Sequence, residues 1–364
     1  MKILQLSHGK IIPKYSSAYA LRCHSYLVSF SDRQLLSVSG LVLRDRQEDY
    51  ARQYRSILTL VYSLFRKQRS LEYFISKGIF LRKKYLHDVR QAIKESDVIV
   101  FEGPWQYYLF RDFVTEKKVV YDAHNVESLL RKGNIWEEYT YSLERSLSER
   151  SDLLVTLTKE DARLFASRYG INAEKVLCIP EGFKVLPKTW NGIDSMDIVF
   201  IGSAYLPNIE AVTLISDIAF NLPQFKFKII GSVCTALRKR HLSPNMQLLG
   251  LLTEEQKDDV LNSSFLALNP VTSGSGMNLK MNDYINHGIP IISTEIGARG
   301  FDSAIIDKFI LAEPGEFKEK ILWADKERQS LSKYSDFYLE YVKKECSKPN
   351  DLMILEGVSK LFNS

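Results

Sequence analysis

Apolar runs of strand length alternate with longer stretches of helical period along most of this chain, and few folds accommodate that rhythm. Strand, crossing helix and parallel strand repeat to build a sheet covered by helices on both faces. In the first half the strand candidates are Ile3–Leu6, Gln34–Val38, Val98–Phe101, Lys118–Tyr121, Leu153–Thr156 and Val176–Ile179. In the second half they are Ile198–Gly202, Lys226–Ile230, Met246–Leu249, Phe265–Leu268, Ile289–Ser293 and Phe309–Ala312. The rhythm breaks over 183–197, where FKVLPKTWNGIDSMD mixes Pro, Gly, Asn and Asp without a period. A chain of 364 residues is also longer than one hydrophobic core usually serves. The expectation is an α/β protein of two doubly wound domains facing each other across a cleft. An N-terminal domain covers 1–183, a C-terminal domain 184–345, and a helical tail 346–364. Ligands of such sheets sit beyond the carboxyl ends of the strands.

Composition narrows the function classes. A net charge of +5 is too weak to argue for nucleic acid, and no recognition motif accompanies it. Cys23, Cys178, Cys234 and Cys346 are scattered, with no CxxC or Cys/His spacing, which predicts free thiols rather than disulfides or zinc. No apolar run reaches the ~18 residues of a membrane span. The run Met1–Leu6 is too short for a secretory segment, so a cytoplasmic location is expected.

Residues 44–96 interrupt the pattern. They show no convincing strand, but apolar positions such as Leu58, Val61, Leu64, Phe65, Phe74, Ile75, Phe80 and Leu81 at helical spacing. Arg66, Lys67, Arg69, Lys77, Arg82, Lys83, Lys84 and Arg90 are interleaved with them. A helical insertion is expected. It has two readings: a solvated helix pair packed on the first sheet, or a basic, aromatic face lying on an anionic membrane. In the second reading each basic residue near lipid contributes ~1 kcal/mol.

The densest chemical signal is SGSGMNLKMND at 273–283. The strand Phe265–Leu268 ends at Asn269-Pro270, glycines follow, and a helix is expected from near Met277. Glycines let backbone approach a ligand, and a helix N-terminus favours an anion such as a diphosphate. Lys280 in the first turn suits a phosphate, and Asp283 lies on a face that reaches a ribose hydroxyl pair. By spacing alone an ordinary βα loop with a solvent-facing lysine accounts for the stretch equally well.

The segment GSGMNLKMNDYINHGIPIIST resembles the donor-binding segment of GT-B glycosyltransferases of family 4. Those carry a Glu, seven residues and a second Glu, then Ala-x-Ala-x-Gly-x-Pro. A subgroup reads Gly-Ser-Gly-Thr-Arg-Leu-Lys, close to residues 274–280 here. Ser275 stands at the first Glu, Asp283 replaces the second, Asn278 stands where the subgroup has Arg, and Gly288 and Pro290 keep their places. Other stretches are similar in order and spacing. Val119–Ser128 resembles the strand ending in a His–Asn pair, here His124-Asn125. Ser151-Asp152 precedes Leu153–Thr156 and Thr158. Ile179–Phe183 resembles a Pro-Asn-Gly turn, and Phe200–Ser203 with Pro207-Asn208 resembles the opening of the second domain.

The resemblance implies a GT-B fold of two Rossmann-like domains and a retaining hexosyl transfer from a nucleotide-diphosphate sugar. The acceptor would be a membrane- or lipid-linked glycan, and the protein peripheral at the inner face of the cell membrane. No cofactor or metal is implied, and neither an Asp-x-Asp tag nor a glycosidase-type carboxylate pair stands out. His124, Lys280 and Asp283 take the catalytic places, with His124 as a neutral imidazole bonding a sugar hydroxyl. Gly202, Ser203, Gly274, Ser275, Gly276, Met277, Asn278 and Leu279 bind the donor. Tyr15, Ser16, Ser17 and Trp105 fall where an acceptor binds. Members often place Arg and Lys after the first strand of the second domain; Ser203–Leu206 carry no charge, so Lys280 and the loop amides take on that work. Glu127 and Glu144 read as helix-face charges, and His24 and His287 as packed or surface residues. Two alternatives accompany this reading: a catalytically silent GT-B scaffold that binds nucleotide sugar or partners, and a GT-B sugar-nucleotide epimerase.

Overall fold

The computed structural model describes residues 1–12, 18–25, 30–39, 44–55, 82–133, 135–179, 190–238, 240–274, 277–346 and 350–363. The chain divides into two units, Met1–Glu181 with Asn350–Ser364, and Gly182–Pro349.

In the first unit the apolar runs become β1 (Ile3–Ser7), β2 (Arg33–Ser39), β5 (Val98–Phe101), β6 (Lys118–Ala123), β7 (Leu153–Thr156) and β8 (Val176–Cys178). Two further strands, β3 (Arg46–Glu48) and β4 (Ala51–Arg55), complete the sheet in the order β3-β4-β2-β1-β5-β6-β7-β8. All pairs are parallel except β3 with β4. Parallel sheets are buried on both faces, which is why Val98–Phe101 and Leu153–Thr156 are unbroken apolar or small runs.

The hairpin β3–β4 corrects the expectation that 44–96 holds no strand. The stretch Ala51-Arg52-Gln53-Tyr54-Arg55 looks polar, yet its polar groups are used inside the fold. Buried Gln53 accepts from the Ile12 amide (3.1 Å) and donates to the Gly9 carbonyl (3.0 Å). Arg52 and the Tyr54 hydroxyl both bond Asp88, at 3.1 and 2.6 Å. The described part of the helical insertion is the helix Lys83–Glu95. It buries Tyr85, Val89, Ala92 and Ile93 and leaves Lys83, Lys84 and Arg90 exposed. The expected positions from Leu58 to Leu81 lie outside the described residues.

The second unit holds β9 (Asp197–Ile201), β10 (Lys226–Ile230), β11 (Met246–Gly250), β12 (Leu266–Asn269), β13 (Ile291–Ser293) and β14 (Ile310–Leu311). Their order is β11-β10-β9-β12-β13-β14, all parallel. Phe200, Ile229, Leu268 and Ile292 lie in its core. The C-terminal helix Asn350–Asn363 belongs to the first unit, where Ile354 and Val358 pack with Leu153, Val155 and Ile179. Among the described residues no helix is long and apolar enough to cross a membrane.

Gly288 shows why the segment after the Lys280–Asn286 helix has its sequence. Its φ of 66° is left-handed, the usual way to end a helix. A Cβ there would lie 2.4 Å from Ser335 Oγ on the helix Ser332–Cys346. Gly288→Ala is therefore expected to cost about 1–3 kcal/mol, from backbone strain and a displaced helix. The measurement is the urea midpoint; an unchanged midpoint would contradict the close helix contact.

Candidate active site

In the first unit β1 lies between β2 and β5, a point where the chain's crossovers leave in opposite directions. Around the ends of β1, β5 and β6 gather Ser7, Glu102, Asp122 and His124. The helix Ala18–Ser25 adds Tyr19, Arg22 and Cys23. Arg22 clamps Asp122 with two bonds, Nε to Oδ2 at 3.0 Å and Nη2 to Oδ1 at 2.6 Å. Arg22 and Asp122 are only 4% and 0% exposed, a burial tolerated because the fork matches the carboxylate.

Glu102, also buried, pairs with His124 Nε2 at 2.6 Å and accepts from Gln5 Nε2. Burial and the Asp122 charge raise the Glu102 carboxyl above its ordinary value. Burial works against a charged His124, but the bond to Glu102 and the charges of Asp122 and Glu102 outweigh it and raise its pKa. The Tyr19 ring lies 4.8 Å from the His124 ring, and its hydroxyl bonds Ser7 Oγ at 2.9 Å.

Cys23, Glu102 and His124 also present ligand-type atoms within 4.8 Å of one another. Two ligands on a tetrahedral zinc sit about 3.3 Å apart. The His124–Glu102 separation of 2.6 Å is that of a hydrogen bond. Burial pushes the Cys23 thiol well up, away from the thiolate a metal needs. As arranged, the cluster is a hydrogen-bonded network.

The loop that follows His124 is pinned by Glu144. Its carboxylate accepts from the amides of Glu127 (2.7 Å) and Ser128 (2.9 Å) and from the hydroxyls of Tyr121 (3.1 Å) and Tyr169 (2.5 Å). Glu144 is fully buried, which corrects its reading as a helix-face charge. Glu127 pairs with Arg131 at 2.6 Å. His24 is buried between the Tyr50 hydroxyl and the Ile11 carbonyl, and His287 is buried against Asp258.

In the second unit the matching point lies between β9 and β12. Gly202 follows β9, with its amide on the Ile230 carbonyl at 2.9 Å and its carbonyl accepting from Val233. Asn208 donates to the Ser203 carbonyl (3.1 Å) and Oγ (3.3 Å), and its Oδ1 accepts from Lys280 Nζ at 2.8 Å. Asn269, the last residue of β12, accepts from the same Nζ at 3.3 Å and donates to the Gly297 carbonyl at 2.9 Å. The Lys280 ammonium lies 4.3 Å above the Phe200 ring. Among the described residues no carboxylate pairs with it. Burial, and then the Arg299 charge, push its pKa down to about 7.

One turn along, Asp283 bonds Lys257 at 3.1 Å, and burial holds its carboxyl above the usual range. Asn278 donates to the Gly297 carbonyl at 2.9 Å, which ties 277–279 to the neighbouring loop. The helix consequently begins at Lys280 rather than near Met277 and runs only to Asn286. Met277 and Leu279 are half-buried just before it.

The structure thus gathers Gly202, Ser203, Gly274, Asn278 and Lys280 in the second unit, with Asp283 on the same short helix, and sets His124 in the charge network of the first. Tyr15, Ser16, Ser17, Ser275 and Gly276 lie outside the described residues. Trp105 departs from its expected acceptor role. It is fully buried, with the Arg131 guanidinium 4.5 Å from its ring and His8 at 6.2 Å, so its faces meet protein. Sequence reasoning missed Arg22, Glu102, Asn269 and Arg299. Glu102 and Asn269 had a usable signal, since each stands at the carboxyl end of a strand named in advance.

Residues 195–325 match the family described as Glycosyl transferases group 1. No curated protein sequence matches the chain. Among solved structures, Anabaena HepE in complex with UDP-glucose superimposes with a TM-score of 0.71 at 13% identity, over 99% of this chain and 100% of that one. Sucrose-phosphate synthase from Thermosynechococcus elongatus gives 0.69 at 11% identity, over 100% of both chains. A glycosyltransferase from Rickettsia africae gives 0.63 at 12%, over 98% and 97%. At such identities the likeness speaks for the fold. The protein has the GT-B fold, and the stretch similar to the group 1 family lies within its second unit.

Burial pushes the Glu144 carboxyl up to about 7 from an ordinary 4.5. Between those values the folded chain holds a proton that the unfolded chain has lost, so the group lowers stability as pH rises through the window. Glu144→Gln removes this titration. Urea unfolding at several pH values is expected to show a flatter stability curve between 4.5 and 7 for the variant; an identical slope would contradict the buried assignment.

Proposed function

We propose that the protein is a glycosyltransferase that moves a hexosyl group from a nucleotide-diphosphate sugar to an acceptor, with retention at the anomeric carbon and without a metal. The observation that carries this reading is Lys280, a half-buried cation held by two amide oxygens and an aromatic face inside the group 1 domain. Breaking a sugar–diphosphate bond builds negative charge on the leaving phosphate. A preorganised cation shielded from water stabilises that charge, and losing one such group typically costs about 10²–10³-fold in kcat.

In this reading the second unit holds the donor through Lys280, the backbone at Gly202 and Gly274, and Asp283 directed to a ribose hydroxyl pair. In the first unit Glu102 holds His124 in a fixed orientation, which suits its assigned role as a hydrogen-bond partner of a sugar hydroxyl. HepE has been captured with UDP and with UDP-glucose, and a pneumococcal O-GlcNAc transferase with UDP and GlcNAc, so uridine donors are the first to test. Retention is supported by the ordered motifs shared with family 4. The acceptor is a membrane- or lipid-linked glycan, met at the inner face of the membrane. Exposed Lys83, Lys84 and Arg90 support that, together with the basic run Arg66, Lys67 and Arg69.

The test incubates the protein with UDP-, GDP- and ADP-sugars, with and without a lipid-extract acceptor mixture, and follows nucleotide release and the anomeric configuration of the product by NMR. Acceptor-dependent release that falls about 10²–10³-fold in Lys280→Ala is expected. Consumption of no donor in any mixture would leave a silent scaffold. A rearranged sugar formed without acceptor would make the protein an epimerase.

A further inference from the structure

We propose that Arg299 is a second diphosphate-binding cation of this site, gripping the phosphates as a fork beside the point charge of Lys280. This rests on the reading that the loop around Gly274 takes a nucleoside diphosphate, and it names a residue that no motif in the chain announced.

Arg299 directly follows the short helix Glu295–Ala298, which begins two residues after β13. The pairing of β13 with β12 sets Ser293 beside Asn269, so the two strands deliver their loops to one place. Gly274 has φ 109° and no side chain, and the guanidinium lies over it. A Cβ at 274 would meet Arg299 Nη2 at 3.1 Å and Pro207 Cγ at 3.9 Å. The helix after β9 and the segments after β12 and β13 therefore meet around Gly274.

Its orientation is set by protein, since Nη1 donates to the Ile296 carbonyl at 2.9 Å. Anchoring the fork in advance reduces the side-chain freedom lost on binding. A planar guanidinium offers parallel N–H donors to two phosphate oxygens, which an ammonium does not. The residues that follow β9, Ser203, Ala204, Tyr205 and Leu206, supply no charge, so a cation for the second phosphate has to come from another strand end.

The charge balance agrees. Two like charges brought together raise the energy of the empty site, and Arg299 helps hold down the Lys280 pKa. A diphosphate between them turns that repulsion into two attractions. Asp283, on the same short helix as Lys280, is bonded to Lys257, which also meets Glu254 at 3.0 Å.

The experiment titrates UDP and uridine calorimetrically into wild type, Lys280→Ala, Arg299→Gln and Arg299→Lys, with the melting temperature of each ligand-free protein as control. Arg299→Gln is expected to weaken UDP about 10- to 100-fold, the range of a charge-assisted pair. Uridine binding stays unchanged, and the melting temperature holds or rises as repulsion is relieved. Arg299→Lys recovers part of the UDP affinity, because it restores charge without the fork. If wild type binds UDP and Lys280→Ala weakens it, while Arg299→Gln stays within about twofold of wild type, Arg299 is not a phosphate ligand, although the diphosphate reading stands. If Arg299→Gln does not fold, wild-type UDP affinity in Arg299→Lys likewise overturns the proposal. If wild type binds none of UDP, GDP and ADP, the diphosphate reading fails first and Arg299 with it.

Discussion

The parallel pairing of β9 with β12 is the constraint from which the second unit's chemistry follows. These strands are neighbours in the sheet but far apart in the chain, with Ile198 set beside Leu266. β10 and β11 extend the sheet on one side, β13 and β14 on the other. Crossovers that leave in opposite directions part the loops at the carboxyl ends and leave space there. Asn208, from the helix after β9, and Asn269, from the end of β12, meet at that point and both hold Lys280. In the first unit β1 and β5 stand in the same relation, and His124 and Glu102 meet near their ends.

The two places treat charge in different ways. In the first unit buried charge is matched: Arg22 with Asp122, and His124 with Glu102, which balance when the imidazole is protonated. Such a network is costly to disturb, because removing one partner strands the other in a medium that solvates it poorly. In the second unit Lys280 has amide oxygens and the face of Phe200 where a structural lysine would have a carboxylate. A desolvated cation of that kind raises the energy of the empty protein, and perturbed groups of this sort concentrate where ligands bind. The first network positions a side chain; the second surrounds an amine with neutral oxygens and an aromatic face.

Much of this was legible from apolar periodicity, because parallel strands buried on both faces must be apolar throughout. The runs Val98–Phe101 and Leu153–Thr156 became strands with those bounds. The β3–β4 hairpin was hidden, since an edge pair can be built from residues whose value lies in hydrogen bonds, as with Arg52 and Gln53. At the site, Lys280 and His124 stood out through motifs. Glu102, Arg22 and Arg299 did not, because each acquires its meaning from a partner distant in sequence: Arg22 from Asp122, Arg299 from Gly274. Burial itself was misjudged twice. Trp105 falls where an acceptor was expected and Glu144 on an expected helix face, yet both are enclosed by segments from elsewhere in the chain: His8 and Arg131 around Trp105, and Tyr121, Glu127, Ser128 and Tyr169 around Glu144.

The central claim, that Lys280 is held ready to pair with a phosphate, predicts a proton exchange that accompanies binding. At about pH 8 the second ionisation of a phosphate, near 6, is already complete. Lys280, with its pKa pushed down to about 7, is then mostly neutral until an anion arrives. Measuring the heat of UDP binding in buffers of different ionisation enthalpy counts the protons taken up. The account predicts close to one proton per UDP bound, and none for whatever binding survives in Lys280→Ala. UDP binding to wild type with no proton uptake would contradict it.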